Sequence, residues 1–238
     1  MPLILTYGEA GNGKSTQHAA VAKYSGKKSL YLCMEVKDDK LLQWKEVPYA
    51  QIIQYNDMYE EDGIATLTRL ETEIRKIIRD NQYDLVILDG ISDIRRFAQK
   101  EWIFKDNLLR AKDGKGPRTG ISGENKGAWA SINQRVVGIL EPLINWSNIK
   151  KTTVMFTAQM KDSYLNDQKV GRQISAGDWI EFDVDVKCKL YRTEDGTYMA
   201  CFTKLPGWAN QLEEDVPVAK EGYFGLLLAR GVITISSP

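Results

Sequence analysis

Histidine and cysteine are scarce in this chain of 238 residues. Its one histidine, His18, gives almost no basis for a histidine-ligated metal site, and we expect a packed or solvent-facing side chain instead. The three cysteines (Cys33, Cys188 and Cys201) are odd in number and show no C-x-x-C spacing. We therefore expect reduced thiols in a cytosolic setting rather than a disulfide framework.

The chain also lacks long apolar runs and an excess of charge of one sign. Its mean hydropathy is −0.37, and no apolar run is long enough to cross a bilayer, so no membrane partner is expected. The 32 basic and 32 acidic residues cancel, so any contact with nucleic acid needs a local patch. Because an apolar strand begins at Leu3, we expect no N-terminal domain and no signal peptide, and one cytoplasmic domain over residues 1–238 (host cytoplasm if viral).

What the chain does contain is a complete G-x-x-x-x-G-K-[ST] motif between an apolar segment and a helical one. Glycines let successive backbone N–H groups turn towards phosphate oxygens, the lysine reaches the β- and γ-phosphates, and the serine hydroxyl ligates Mg²⁺. The motif predicts a site for ATP and Mg²⁺. The residues expected to hold the nucleotide are Gly8, Glu9, Ala10, Gly11, Asn12, Gly13, Lys14, Ser15 and Thr16.

Short apolar segments alternate with amphipathic ones along most of the chain. Strands are predicted over residues 3–7, 29–34, 83–89 and 152–157, and helices over 15–23, 64–78 and 129–143. This alternation indicates an α/β fold with a mainly parallel sheet and helices on both faces. Near the C-terminus, alternating residues from Val184 to Leu190, the turn signal Glu194-Asp195-Gly196 and the segment Tyr198–Thr203 predict an antiparallel hairpin. The apolar end of the chain, from Gly222, is expected to pack on the core.

Asp89 ends an apolar strand downstream of the motif, which is where a Walker B carboxylate orders Mg²⁺. The metal residues are thus predicted to be Ser15 and Asp89. Gly90 follows, whereas many motor ATPases carry the water-activating glutamate at that position. We therefore predict that Glu35, at the end of the second strand, polarises the attacking water, with Asp38, Asp39 and Asp93 as weaker candidates.

One further residue and one further segment are candidates for a functional role. Gln159 is predicted to end the fourth strand, where its amide either senses the γ-phosphate or is simply a satisfied polar strand end. The segment from Lys105 to Lys126 holds four glycines and has six basic against three acidic residues, a net charge of +3. By pattern it is neither helix nor strand, so it is either a functional loop or a solvated one.

These features together resemble the RecA-like ATPase core, in particular the short, core-only members of phages and mobile elements, some of which act in recombination and single-strand annealing. The resemblance covers roughly Leu3 to Gly207. It implies a RecA-like P-loop NTPase fold, Glu35 as the catalytic base and Gln159 as the nucleotide sensor beside Lys14. It also implies that the segment Lys161–Gly177 is a mobile loop that contacts DNA, and that Lys204 is a cationic finger to the neighbouring subunit. Relatives often carry two basic residues at that finger, and here Leu205-Pro206 follow Lys204.

Three functions remain open at this point. The first is a DNA-stimulated, Mg²⁺-dependent ATPase that acts on nucleic acid, single-stranded DNA above all, in recombination, annealing or strand remodelling. It would form a homo-oligomeric ring or filament and contact the strand through Lys105–Lys126 and Lys161–Gly177. The second is a DNA-translocating or packaging ATPase of viral type. The third is a P-loop small-molecule kinase, with Arg110–Arg118 as a lid.

Overall fold

The computed structural model describes residues 2–34, 38–55, 62–121, 126–165, 168–175, 180, 183–205, 215–218 and 222–233. Its strands are β1 (Leu3–Gly8), β2 (Ser29–Cys33), β3 (Ala50–Gln54), β4 (Leu85–Asp89), β5 (Thr153–Leu165), β6 (Gln168–Ile174), β7 (Val186–Arg192), β8 (Tyr198–Lys204) and β9 (Asp215–Pro217). Its helices are α1 (Lys14–Ser25), α2 (Asp38–Trp44), α3 (Ile64–Asp80), α4 (Ile91–Lys112), α5 (Lys126–Lys150) and α6 (Gly222–Ala229).

The strands form one sheet in the order β3-β2-β4-β5-β1-β7-β8-β9. From β3 to β7 all neighbours are parallel, and β8 and β9 then add antiparallel. The distal half of β5 leaves this order and pairs with β6 as an antiparallel hairpin. Gly8 stands opposite Gln159, and Asp89 stands opposite Thr157, so the ends of three neighbouring strands meet at one edge of the sheet.

Helices cover both faces of the sheet. Along β1, Leu3, Leu5 and Tyr7 enter one apolar core, while Ile4 enters the other, as strand geometry requires. The first core is closed by apolar side chains of α3, α4 and α5, and the second by those of α1, α2 and α6. The central parallel strands β1, β2 and β4 are buried on both faces and therefore appear in the sequence as continuous apolar runs.

The predicted mainly parallel sheet with helices on both faces and a C-terminal antiparallel hairpin is confirmed. β7 and β8 pair with the expected alternation, and Tyr223, Phe224 and Leu227 of α6 are buried against the core. The elements α2 and β3 were not predicted. α2 has only about two helical turns, and β3 is a partly exposed edge strand, so neither shows a strong hydrophobic period.

Two predicted segments have a different structure. Residues 105–112, expected to be irregular, are the last two turns of α4, and only the glycines after Lys112 stop that helix. The fourth strand was predicted to end near Gln159, but β5 continues to Leu165. The described part of the segment Lys161–Gly177 is a β-hairpin, and its contact with DNA stays a prediction.

None of the helices within the described ranges combines the length and the apolar character needed to cross a membrane.

Candidate functional site

The glycine-rich motif lies in the turn from β1 to α1. Gly8 is required there, because a Cβ atom would come 2.1 Å from the carbonyl oxygen of Leu190 on β7. The Asn12 amide donates to the same carbonyl at 3.2 Å and ties the loop to β7. Nζ of Lys14 donates to the carbonyls of Gly8 and Glu9, at 2.9 and 2.7 Å. The ammonium group is therefore held inside the loop by weak acceptors that a phosphate oxygen can replace.

Asp89 joins this loop to the neighbouring strands. Oγ of Ser15 donates to Oδ2 of Asp89 at 2.5 Å, and the hydroxyl of Tyr31 on β2 donates to the same oxygen at 2.5 Å. The Thr157 hydroxyl on β5 donates to Oδ1. The carboxyl group is only 3% exposed, so these three donors supply the solvation that water cannot.

Tyr31 was missed by the sequence reading because it lies in an uninterrupted apolar strand. Its ring stacks on Trp44 at a centroid distance of 4.0 Å. Burial and the neighbouring Asp89 raise the pKa of Tyr31 well above its ordinary value of 10.0, so the hydroxyl stays a donor. Thr157 was missed for the same reason, although a polar residue opposite Asp89 could have been found by aligning the predicted parallel strands.

A cavity of about 260 Å³ opens beside the motif. Predicted residues form most of its wall, namely Ala10, Gly11, Gly13, Lys14, Ser15, Thr16, Asp89 and Gln159. Five further residues complete the wall, and none of them was predicted to bind the nucleotide. They are Gln43 from α2, Gly90, Asp93 (only a weaker candidate for the base), Thr157 from β5 and Tyr198 from β8. The donors of the cavity suit phosphate, because Lys14 begins α1 and the backbone N–H groups at the start of a helix attract anions.

Gln159 reaches the cavity from inside β5 rather than from a strand end. Its backbone N–H donates to Oγ of Ser92 at 2.9 Å, and its carbonyl accepts from the N–H of Ser175 at 2.8 Å. These bonds fix the point at which β5 leaves the sheet for the hairpin. Gln159 thus lines the cavity, stands opposite Gly8 and precedes the hairpin, and its sensing role stays a prediction.

Glu35, Val36 and Lys37 lie outside the described residues, and so do the side chains of Asp38 and Asp39. The end of β2 is described: Cys33 stands opposite Asp89 in the parallel register. The chain therefore leaves the sheet next to Asp89, and the role of Glu35 as a base stays a prediction.

Lys204 lies far from this cavity. It ends β8, whereas Tyr198 at the start of β8 lines the cavity wall. Six residues of extended chain separate the two, which is about 20 Å. Lys204 therefore does not complete the site of its own chain.

The described parts of the two basic segments predicted to contact nucleic acid form ion pairs and hydrogen bonds. After α4 the chain folds back on the helix: Asn107 exchanges hydrogen bonds with the backbone of Arg118, and Nε of Arg118 lies 3.0 Å from Asp106. Residues 122–125 lie outside the described ranges. In the hairpin, Arg172 forms ion pairs with Asp162 and with Glu9 of the glycine-rich motif.

His18 is fully buried beneath the motif. Its Nε2 lies 2.9 Å from Oγ1 of Thr6, which donates in turn to the hydroxyl of Tyr223 on α6. Nδ1 has no hydrogen-bond partner among the described residues. Burial lowers the pKa of His18 to about 4. The negative charge of Asp89 acts to raise this pKa, and the positive charge of Lys14 acts to lower it. The ring is neutral at pH 7 and takes no part in the cavity.

The three cysteines are free thiols, and Cys33 and Cys188 are buried. Among the described residues, no group of three or more histidine, cysteine or acidic side chains is arranged to hold a metal ion. A cation at this site would depend on Ser15 and Asp89 together with its water and phosphate ligands.

Comparison with known proteins bears on the fold alone. No family model matches the sequence, and no curated protein does either. Among solved structures, a KaiC-like protein from the hyperthermophilic archaeon Pyrococcus horikoshii is similar, with a TM-score of 0.50 and 13% identity over 93% of this chain and 87% of that one. The predicted RecA-like α/β fold is thus confirmed.

Proposed function

We propose that this chain binds ATP with Mg²⁺ and hydrolyses it. One observation carries the proposal: the Ser15 hydroxyl lies 2.5 Å from Asp89, with Lys14 in the same cavity wall. A lysine, a hydroxyl and a carboxylate at the start of a helix form the arrangement that binds and polarises phosphates. The RecA-like fold brings these groups together from two strands that are separated by β5.

The residues present fit Mg²⁺. The hydroxyl of Ser15 and the carboxylate of Asp89 are hard oxygen donors, which this ion prefers. When bound, Mg²⁺ withdraws charge from the phosphate oxygens. Ser15 would ligate the ion, while Asp89 would hold its water ligands and the hydroxyls of Tyr31 and Thr157 would keep the Asp89 carboxylate in place.

We further propose that the ATPase acts on nucleic acid, as the resemblance to short RecA-like proteins implies. The hairpin supports this proposal, because β5 leads from Gln159 in the cavity wall directly into it, and Arg172 pairs with Glu9 of the phosphate loop. A polymer that draws Arg172 to its own phosphates would release Glu9, and hydrolysis would respond to polymer binding. We also propose an oligomer in which Lys204 acts on the nucleotide of a neighbouring chain, as the resemblance implies; its distance from the cavity of its own chain is compatible with that role.

The kinase hypothesis gains nothing from the described residues. Arg110 donates to the carbonyl of Gly116 at 2.8 Å, and Arg118 pairs with Asp106, so both arginines of the supposed lid bind their own segment. A DNA-translocating motor would use the same phosphate chemistry and stays open as a form of the same function.

The test is steady-state ATP hydrolysis, with and without single-stranded DNA, for the wild type and Glu35→Gln. A matched control is Glu46→Gln, which changes an exposed glutamate on the surface pair with Lys23. We expect DNA to stimulate the wild type and the control, and Glu35→Gln to respond less. An active enzyme that ignores DNA would contradict the nucleic-acid part, and a wild type that neither binds nor hydrolyses ATP would contradict the whole proposal.

A further inference from the structure

Asp93 brings a second carboxylate into the cavity besides Asp89. It lies in the first turn of α4, is 6% exposed, and lines the wall with Lys14, Ser15 and Gln159. In the part of the chain that the structure describes, Asp89 and Asp93 are the acidic residues of this wall. Asp89 accepts from three hydroxyl donors and is assigned to the water ligands of Mg²⁺, so Asp93 is the carboxylate of this wall that has no role in the metal site.

The absence of a side chain at Gly90 leaves space for the carboxylate of Asp93. The φ of +114° at Gly90 is disfavoured for residues with side chains, and a Cβ atom at this position would lie 2.7 Å from Oδ2 of Asp93 and 3.1 Å from Cβ of Met34. The Asp93 carboxylate therefore lies where a side chain on residue 90 would begin. A glutamate at residue 90, directly after the Walker B aspartate, would displace the Asp93 carboxylate. The position of Asp93 therefore depends on the glycine at residue 90.

The Asp93 carboxylate is held in a fixed direction. The backbone N–H of Asp93 donates to the carbonyl of Gly90 at 2.9 Å, which anchors the first turn of α4. Nη2 of Arg96 lies 3.0 Å from Oδ1 of Asp93. The other oxygen, Oδ2, is the one that lies next to Gly90. The start of the helix also favours a negative charge at this position.

We propose that Asp93 is a catalytic carboxylate, which orients the attacking water and accepts its proton in place of a glutamate at residue 90. This proposal rests on the proposed ATPase function. The water oxygen forms a bond to the γ-phosphorus while the bond from that phosphorus to the β,γ-bridging oxygen breaks, and its electron pair leaves with ADP. The proton passes to Asp93 and then to solvent, so that ADP and inorganic phosphate are the products.

The experiment compares Asp93→Asn with Arg96→Met in single-turnover and steady-state ATP hydrolysis, together with fluorescent-nucleotide titration. Asparagine keeps the size of the side chain but cannot accept the proton. We expect kcat to fall about 100-fold or more in Asp93→Asn, while the Kd for nucleotide changes by less than about 3-fold. Arg96→Met removes the ion pair but leaves the carboxylate, so it should retain kcat within about 10-fold.

A pH profile separates catalysis from a structural role. With Asp93 as the base, kcat of the wild type falls at acid pH as the carboxylate is protonated, and this acid limb disappears in Asp93→Asn. An Asp93→Asn enzyme with near-normal kcat, or with the acid limb intact, would overturn the proposal, and so would an equal loss in Arg96→Met. A wild type without ATPase activity would instead overturn the proposed function.

Discussion

Among single residues, Asp89 shows how the site balances charge and burial. A buried carboxylate costs several kcal/mol unless donors surround it. Here the donors are three hydroxyls, which stay neutral and add no competing charge. The negative charge therefore remains available to water ligands of a cation, which a lysine or arginine partner would have neutralised.

Tyr31→Phe tests one of these donors. The ring and its stacking on Trp44 are kept, and only the hydrogen bond to Asp89 is lost. Since a hydrogen bond to a charged group contributes about 1.5–3 kcal/mol, we expect the free energy of unfolding to fall by about that amount in urea denaturation. Tyr24→Phe, on an exposed ring, should change it by less than about 0.5 kcal/mol. Equal stability of the two variants would mean that the hydroxyl of Tyr31 contributes nothing.

His18 predicts a pH dependence of stability. Its pKa is about 4 in the folded chain and 6.5 ordinarily, so between these values the unfolded chain binds the extra proton. The contribution of His18 to the free energy of unfolding is therefore fully present above pH 6.5. It is lost as the pH falls towards 4, and the loss amounts to up to about 3 kcal/mol. Denaturation between pH 4.5 and 7.5 measures this slope. Because His18 is the one histidine of the chain, the slope between pH 5.5 and 6.5 should vanish in His18→Gln; a slope that persists would assign it to other groups.

At the scale of the elements, the structure corrects the interpretation of both basic segments. The segment 105–112 consists mostly of good helix formers. It was grouped with the glycines that follow it because of its basic residues, whereas α4 continues through it to Lys112. The segment after Gln159 alternates too weakly to predict a hairpin. The first half of β5 pairs with the distant strands β1 and β4, and its second half pairs with the adjacent strand β6. The local charges thus predicted a surface for contact with nucleic acid, whereas the secondary structure of the two segments depended on the elements they continue or pair with.

α6 is predicted to stabilise the helix that carries the phosphate loop. Leu227 is fully buried in the second core, and the N–H of Tyr223 donates to Oε1 of Gln17 on α1 at 2.8 Å. Leu227→Ala should lower the free energy of unfolding by about 2–5 kcal/mol, because the cavity would remain partly unfilled. Leu226→Ala, at a partly buried neighbour, is the control and should cost clearly less. Urea denaturation of both variants provides the measurement, and equal losses would contradict the docking of α6 through Leu227.

At the scale of the whole molecule, the far position of Lys204 makes a prediction about assembly. If it acts on the next subunit, Lys204→Ala should bind nucleotide normally but hydrolyse it slowly, and wild-type activity per molecule should rise with protein concentration. Lys14→Ala should be inactive as well, since it loses phosphate binding. Lys150→Ala, at an exposed residue, is the control for charge.

Mixing the two inactive variants is the decisive measurement. At a mixed interface, Lys14→Ala supplies an intact Lys204 to the intact nucleotide site of Lys204→Ala, so part of the activity should return. No recovery in mixtures that demonstrably co-assemble would contradict the action of Lys204 on a neighbour.

The sequence by itself determined the phosphate loop, the strands on either side of it, the layered α/β fold and the pair Ser15 and Asp89. These depend on local signals: fixed glycines, apolar runs of strand length, and a carboxylate at the end of one run. A single domain and the partners of the chain remain predictions. The tertiary structure decided what depends on pairing between distant segments. It placed Tyr31 and Thr157 on Asp89, set Lys204 at the far end of β8, and brought Asp93 into the space above Gly90. The physical reason is that the register of the strands and the orientation of a helix decide which side chains come into contact. Both depend on contacts between distant segments and cannot be derived from the residues of one segment alone.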